Sequence, residues 1–249
     1  MTPFILSPEF AIWNLGALGI IDLIAATTNA FNGALLARRP DHYKHFTVMG
    51  IILLAFAGGI GGGVLRDVIV NVVPSPLINP WYLIFCVVAA ALALVIEYYS
   101  GQAFRAGLFT FMTAASLPWY AIIGAQTAVD HHVDYFAAVL IGVIGTTGGR
   151  FIIDISCGLV PKQLVRGEFF VLTAVLTAAL YLTLHYPFHL DVWPATIIAA
   201  IFGFGFRLLS QFLGWEEWEP WEPAEAKAGE KARHGLGEDI ETEFKGGSR

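Results

Sequence analysis

Two stretches of this sequence combine residue types that apolar segments seldom carry. "GGIGGGVLRDVIVNVVP" (58–74) places five glycines in six positions, Gly58, Gly59, Gly61, Gly62 and Gly63, and follows them with Arg66 and Asp67. "GTTGGRFIIDISCGLVP" (145–161) sets Gly145, Gly148 and Gly149 around Thr146 and Thr147 and follows them with Arg150 and Asp154. Glycine costs about 1 kcal/mol against alanine inside a helix. Where a helix loosens in a wet cavity, its freed carbonyls can coordinate a cation. Carboxylates nearby raise the local cation concentration, and threonine hydroxyls add oxygen ligands. A guanidinium in the same path opposes a cation, which gives Arg66 and Arg150 gating or ion-pairing roles. The competing reading is structural. Gly58/Gly62, Gly59/Gly63 and Gly145/Gly149 are GxxxG pairs, which pack helices closely in membranes. On that reading Arg66 with Asp154, or Arg150 with Asp67, are ion pairs that hold two halves of the protein together.

Other polar residues in apolar surroundings are fewer. Asp22 falls well inside an apolar segment, with Asn29 and Asn32 further along. It lines a path or bonds to a neighbouring helix, and gating or ion pairing is open to it. His131 and His132 form a pair in a short link, too few ligands for a metal site. Arg207 lies near the end of the last apolar segment, where its long stem suits snorkelling. Cys86 and Cys157 have neither CxxC nor Cys/His spacing. P-loop, G-x-G-x-x-G, H-E-x-x-H and G-x-S-x-G motifs are absent from the sequence. These residues point away from an enzyme and from any cofactor; the permeant ion is the one metal expected.

The elements that position these residues are membrane helices. Only 14% of residues are charged and the mean hydropathy is +0.65, against about 25% charged in soluble domains. A helix needs about 20 apolar residues to cross a bilayer. Seven segments qualify: 10–37, 46–72, 81–99, 106–128, 134–158, 168–185 and 193–213. The opening "MTPFILSPEF" has no basic start, so no cleavable leader is expected. The net charge of −6 belongs mostly to residues 215–249, which hold ten acidic and five basic residues. Nothing suggests a nucleic-acid partner. The predicted organisation is a transmembrane domain over 1–213 and an acidic, largely disordered tail over 214–249. Trp81, Trp193 and Trp215 fall at span ends, as interfacial anchors do.

The two glycine stretches are copies. At a constant offset of 87, Gly58 meets Gly145, Gly61 meets Gly148, Gly62 meets Gly149, Asp67 meets Asp154 and Pro74 meets Pro161. Upstream, "NGALLA" (32–37) is similar to "IGAQTA" (123–128). The repeats are 10–99 and 106–185, three helices each, with 193–213 left over. Copies of three helices enter the membrane from opposite sides, an inverted repeat of the kind transporters and channels use. The expected fold is all-α, with seven spans and kinks at the glycines of spans 2 and 5. Asp67 then lies about 9 Å beyond Gly61 on one side of the constriction, and Asp154 on the other.

"GGIGGGVLRD" resembles the Gly-Gly-Gly-x-x-Arg-Asp signature of a bacterial membrane family labelled glycine-transporter-like. With Asp22, "AFNGALLARR" (30–39) and the three-plus-three-plus-one arrangement, residues 10–213 resemble the prokaryotic trimeric intracellular cation channels. The resemblance implies a homotrimer in the inner membrane of a bacterium or archaeon, with a potassium-permeable pore inside each protomer. The second copy departs from the signature: Ile153 holds the arginine position, and Arg150 replaces a glycine. A secondary transporter for glycine or another small zwitterion fits the same motif. Its carboxylate would meet Arg66 and its ammonium Asp67.

Basic residues set the orientation. The first, third and fifth links hold Arg38, Arg39, Lys44, Arg105, Lys162 and Arg166, whereas the second, fourth and sixth hold no lysine or arginine. By the positive-inside rule the N-terminus is outside and the C-terminus cytoplasmic. A cysteine replacing Asp41 should therefore resist a membrane-impermeant thiol reagent in intact cells and react after permeabilisation. Strong labelling in intact cells would reverse the topology.

Overall fold

The structure, a computed structural model, describes residues 16–39, 42, 44–99, 102–161, 163–165, 167 and 169–217. The chain divides after Glu216 into two units, and the first is described below. The expected tail lies, from residue 218 on, outside the described residues. So do residues 10–15 of the first predicted span and the link residues Lys162 and Arg166.

Among the described residues every regular element is a helix: α1 (Gly16–Ala37), α2 (Val48–Ile69), α3 (Ser75–Ile78), α4 (Pro80–Tyr99), α5 (Gln102–Asp130), α6 (Tyr135–Ser156), α7 (Phe170–His185) and α8 (Val192–Phe212). Five helices are long and apolar enough to cross a membrane: α1, α2, α6, α8 and the Gly107–Asp130 part of α5. The apolar stretches Pro80–Ile96 and Phe170–His185 are shorter. At 1.5 Å per residue, α7 is about 24 Å long, under the ~30 Å of a hydrocarbon core. The four-residue α3, in the proline-rich second link, was not foreseen.

Helices α2 and α6 are built alike, at the same offset of 87. Each begins at a side-chain cap: Thr47 Oγ1 accepts from Gly50 N at 3.1 Å, and Asp134 Oδ2 accepts from Phe136 N at 3.2 Å. Each ends at a left-handed residue, Asn71 (φ 59°) and Gly158 (φ 73°). The next amide turns back to the carbonyl of the aspartate: Val72 N donates to Asp67 O and Leu159 N to Asp154 O, both at 2.9 Å. These bonds satisfy carbonyls that a helix end otherwise leaves open.

Neither helix is broken at its glycines. Both run without interruption over 22 residues, so the carbonyls expected to be free there are engaged in the helix. The glycines serve a different end. A methyl group added at Gly62 would collide with the Gly145 carbonyl oxygen, and one added at Gly149 would stand 2.7 Å from that of Gly58. One at Gly61 would meet Ile152 at 3.1 Å, and one at Gly148 would meet Leu65 at 2.7 Å. Gly62 and Gly149 are counterparts, as are Gly58 and Gly145, Gly61 and Gly148, Leu65 and Ile152. Each contact is thus answered by its exchanged partner, the reciprocity a two-fold relation produces.

The outer helices pack on this pair in matching ways. Gly33 of α1 lies under the α2 backbone, where an added methyl would be 2.7 Å from Leu54 O and 3.2 Å from Ala55 Cα. Gly124 of α5 lies under α6, where it would be 3.3 Å from Ile141 O and 2.8 Å from Gly142 Cα. One core cluster collects α1, α2 and α4 around Ala30, Ala34, Ala55 and Cys86, and takes in Phe109 of α5 and Ile153 of α6. A second collects α5, α6, α7 and α8 around Ala121, Ala125, Ala178 and Ala199.

The α2–α6 contact should be the least tolerant place in the fold. Gly62→Ala and Gly149→Ala force backbone apart, and overpacking of this kind costs about 1–3 kcal/mol. Gly205→Ala, with nothing within 4 Å of the added carbon, should be neutral or mildly stabilising. Thermal unfolding in detergent checks the ranking; equal melting temperatures would contradict it.

Candidate functional site

The largest buried polar side chain is Arg66, only 2% exposed. Its Nε donates to Asp67 Oδ1 at 2.6 Å. Its Nη1 and Nη2 donate to Asp22 Oδ1 and Oδ2 at 3.0 and 3.4 Å, a two-pronged grip on one carboxylate. Tyr82 of α4 donates its hydroxyl to Asp22 Oδ2 at 2.9 Å, and Ser75 N, opening α3, donates to Asp67 Oδ2 at 3.1 Å. One guanidinium therefore ties α1, α2, α3 and α4 together at one end of the bundle. Two carboxylates against one guanidinium leave this cluster with one net negative charge.

The other end has its own lock. Arg150 Nε donates to Asp154 Oδ1 at 2.8 Å, one turn along α6. His42, in the link between α1 and α2, places Nε2 2.8 Å from the same oxygen. His42 and Asp154 are 1% and 0% exposed, whereas the Arg150 side chain is 18% exposed. The expected pairing of arginine and aspartate across the halves does not occur. Arg66 is held by Asp22 and Asp67, and Arg150 by Asp154, each within its own half. Antiparallel progress along α2 and α6 carries Asp67 and Asp154 to opposite ends, out of reach of the other half's arginine.

The ties between halves come from other residues. Tyr120 of α5 donates its hydroxyl to Gly59 O, and Asn32 Nδ2 of α1 donates to Ser116 Oγ of α5 at 3.2 Å. His42–Asp154 is a third such tie, and neither His42 nor Tyr120 belongs to the matched glycine stretches. Tyr82, Tyr120 and His42 were not legible as site residues. The one available signal was a polar side chain in or beside an apolar run.

Cavities lie along these helices at both ends and between them. At the Asp67 end, a cavity of about 450 Å³ is lined by Asp22, Arg66, Asp67, Ser75, Tyr82 and Thr127 among others. At the Asp154 end, one of about 420 Å³ is lined by Arg39, Arg150, Arg207, Gln163 and Gln211 among others. Arg207 does not snorkel: it is 4% exposed, and its guanidinium lies 5.4 Å from the Phe170 ring centre. Arg39 likewise lies over Phe109, at 4.7 Å. Between the two ends is a narrow chamber of about 40 Å³. Asn29, Asn32, Thr113, Ser116 and Thr146 give it polar walls, and it shares Phe109, Thr113, Arg150 and Phe170 with the Asp154-end cavity. Along α5, Tyr120 falls between Leu117 of the chamber and Ile123 of the Asp67-end cavity.

Of the residues singled out in the sequence, Asp22, Arg66 and Asp67 share one cavity, and Gly58, Thr146 and Arg150 line the chamber. Gly61, Gly62, Gly148 and Gly149 are spent on the α2–α6 contact. Gly59 faces α1, with an added methyl 2.7 Å from Ala30 Cβ, while Gly63 and Gly145 leave room for the Arg66 side chain. Thr147 bonds its own helix, donating to Val143 O at 2.9 Å.

The family described as Glycine transporter matches residues 19–98 and 110–186. The chain belongs to this family. The two matched stretches hold α1–α4 and α5–α7, leaving α8 beyond them. A UPF0126 membrane protein of Deinococcus radiodurans is 27% identical over 160 residues, covering 64% of this chain and 72% of that one. One from Vibrio cholerae is 25% identical over 167 residues, 67% of each chain. Among solved structures, the TRIC trimeric intracellular cation channel orthologue from Rhodobacter sphaeroides has a TM-score of 0.70 and 24% identity. The match covers 79% of this chain and 98% of that one. A second TRIC cation channel, solved to explain conductance, also has a TM-score of 0.70, with 25% identity over 82% of this chain and 98% of that one. The fold is TRIC-like, and the resemblance read from the glycine signature holds.

Removing one partner from a buried charge cluster leaves the other uncompensated, at a cost of about 3–5 kcal/mol. Arg66→Leu should therefore destabilise far more than Tyr82→Phe, which removes one hydrogen bond worth about 1 kcal/mol. Arg150→Leu, at the partly exposed lock, should fall between them. Melting temperatures in one detergent check the order.

Proposed function

We propose that the chain is a cation channel permeable to potassium, with a pore inside each protomer of a homotrimer. The observation that carries this reading is the likeness to the solved TRIC cation channel, at 25% identity over 98% of that chain. The cavities support it. Residues Leu18 and Arg39, at opposite ends of α1, line different vestibules, about 30 Å apart at 1.5 Å per residue. The polar chamber lies between them.

The proposed membrane is the inner membrane of a bacterium or archaeon, with seven spans, the N-terminus outside and the C-terminus cytoplasmic. The spans form an inverted repeat of 10–99 and 106–185 plus the last helix. The exchanged glycine contacts of α2 and α6 support the repeat. In this reading Asp67 and Asp154 hold Arg66 and Arg150 in place, and the net negative charge around Asp22 and Asp67 draws cations to the outer vestibule. Tyr120, bonded to Gly59, closes the path between chamber and outer vestibule, so the structure is a closed state. Arg39, Arg150 and Arg207 lower the cation concentration in the inner vestibule, which favours current in one direction over the other.

One observation favours a second reading. Three arginines around a 420 Å³ cavity suit a carboxylate, as a transporter of glycine or another zwitterion requires. Arg66 does not serve that purpose, because its Nε and both Nη atoms already hold the chain's own carboxylates.

Purified protein in liposomes separates the two. A channel passes potassium down its gradient without glycine, and gives unitary currents in a planar bilayer. Tyr120→Phe, which lacks the hydroxyl bond, should raise potassium flux about threefold or more. Uptake of labelled glycine without potassium current would establish the transporter instead.

A further inference from the structure

We propose that His42 is a proton sensor: acid charges its imidazole, the imidazolium keeps Asp154, and the displaced Arg150 guanidinium enters the ion path and closes it. The inference rests on the cation-channel reading and adds a control at the end opposite Asp67.

One oxygen serves two nitrogen atoms. Asp154 Oδ1 accepts from Arg150 Nε at 2.8 Å and lies 2.8 Å from His42 Nε2. A carboxylate oxygen only accepts, so Nε2 carries the proton and Nδ1 of the neutral ring carries a lone pair. That lone pair has no hydrogen-bond partner among the described residues. A second proton therefore has an open place on the ring.

Taking that proton changes the charge balance. With a neutral ring, Arg150 and Asp154 offset each other. With a charged ring, two cations share one carboxylate. The neighbouring groups add positive charge. Arg39, whose carbonyl accepts from His42 N at 3.0 Å, Arg38 beside it and Lys44 in the same link are all cations. His45, an exposed imidazole, follows in that link. Cys157, at the end of α6, is a thiol close enough to feel Asp154, Lys44 and Arg150. The charged residues of α2, Arg66 and Asp67, lie at the other end of the bundle, as does Asp130 of α5. Among the described residues, no second carboxylate is paired with His42 or Arg150.

Burial decides which cation keeps Asp154. The His42 side chain is 1% exposed, and a buried charge without its partner is the costlier of the two to leave. The Arg150 side chain is 18% exposed and lines both the chamber and the Asp154-end cavity. It has a second partner in the Phe109 ring, whose centre lies 5.7 Å from its guanidinium carbon. Released from Asp154, the guanidinium occupies a chamber of about 40 Å³. There it excludes a cation by volume and by charge.

The test uses the full chain in liposomes, with potassium flux measured at about pH 8 and about pH 5.5, across the range in which imidazoles titrate. Wild-type flux should fall about fivefold or more on acidification. His42→Gln offers Asp154 an amide proton in place of the ring proton and takes up no second one, so its flux should be equal at both values. Arg150→Gln has no guanidinium to release and should also lose the response, which keeps the test decisive where one variant fails to assemble. His45→Gln should respond like the wild type. A His42→Gln or Arg150→Gln protein that still closes in acid overturns the sensor, and so does a His45→Gln protein that no longer does. Wild-type vesicles that pass potassium equally at both values overturn the sensor and leave the channel standing. Wild-type vesicles that pass no potassium at either value overturn both.

Discussion

Helices α2 and α6 meet backbone to backbone at their glycines, and the remaining architecture follows from that approach. In a bilayer, lipid is as apolar as leucine, so burying leucine between helices gains little. Attraction has to come from many close contacts, and backbone meets backbone only where residues are small. Gly58, Gly62, Gly145 and Gly149 supply that surface. Because each copy contributes the same pattern, one contact serves both halves. The helices stay intact because their ends are capped by Thr47 and Asp134, and by the turns at Asn71 and Gly158. Glycine lowers helix propensity, and here packing outweighs it.

That close crossing has a consequence for charge. It brings two helix ends, each with an aspartate, to opposite sides of the bundle, and each aspartate then needs a cation within its own half. The halves answer differently. Arg66 precedes Asp67 by one residue and reaches a second carboxylate on α1, where Asp22 accepts the fork. Arg150 precedes Asp154 by one turn and shares it with His42. The result is one end with a surplus carboxylate and another lined by Arg39, Arg150 and Arg207. The two ends thus carry different charge, although the helices between them meet through one repeated contact pattern.

Much of this was legible in the chain. The apolar segments 46–72 and 134–158 located α2 and α6 to within three residues, and the offset of 87 between "GGIGGGVLRDV" and "GTTGGRFIIDI" set the two helices in matching register. The apolar runs placed the long helices, since a bilayer-spanning helix leaves its length in the hydropathy. The short α3 escaped, because four residues after a proline make no periodic signal. Asp22, Arg66 and Arg150 stood out as charges in apolar surroundings, which are costly enough to need partners.

What the sequence by itself determined was therefore the helical class, the repeated glycine–aspartate element and the presence of buried charges. Those properties depend on residue type and spacing along one helix. Which arginine holds which aspartate depends on distances across helices, and only the tertiary structure decided it. The same is true of the glycines. A GxxxG pattern is compatible with a broken helix or a packed one, and the choice turns on what lies opposite. Gly145 O opposite Gly62 leaves no space for a pore there. His42, Tyr82, Tyr120 and Asn32 acquire roles through neighbours 60 to 112 residues distant. A polar side chain carries no mark of its partner until the fold brings the two within hydrogen-bonding distance.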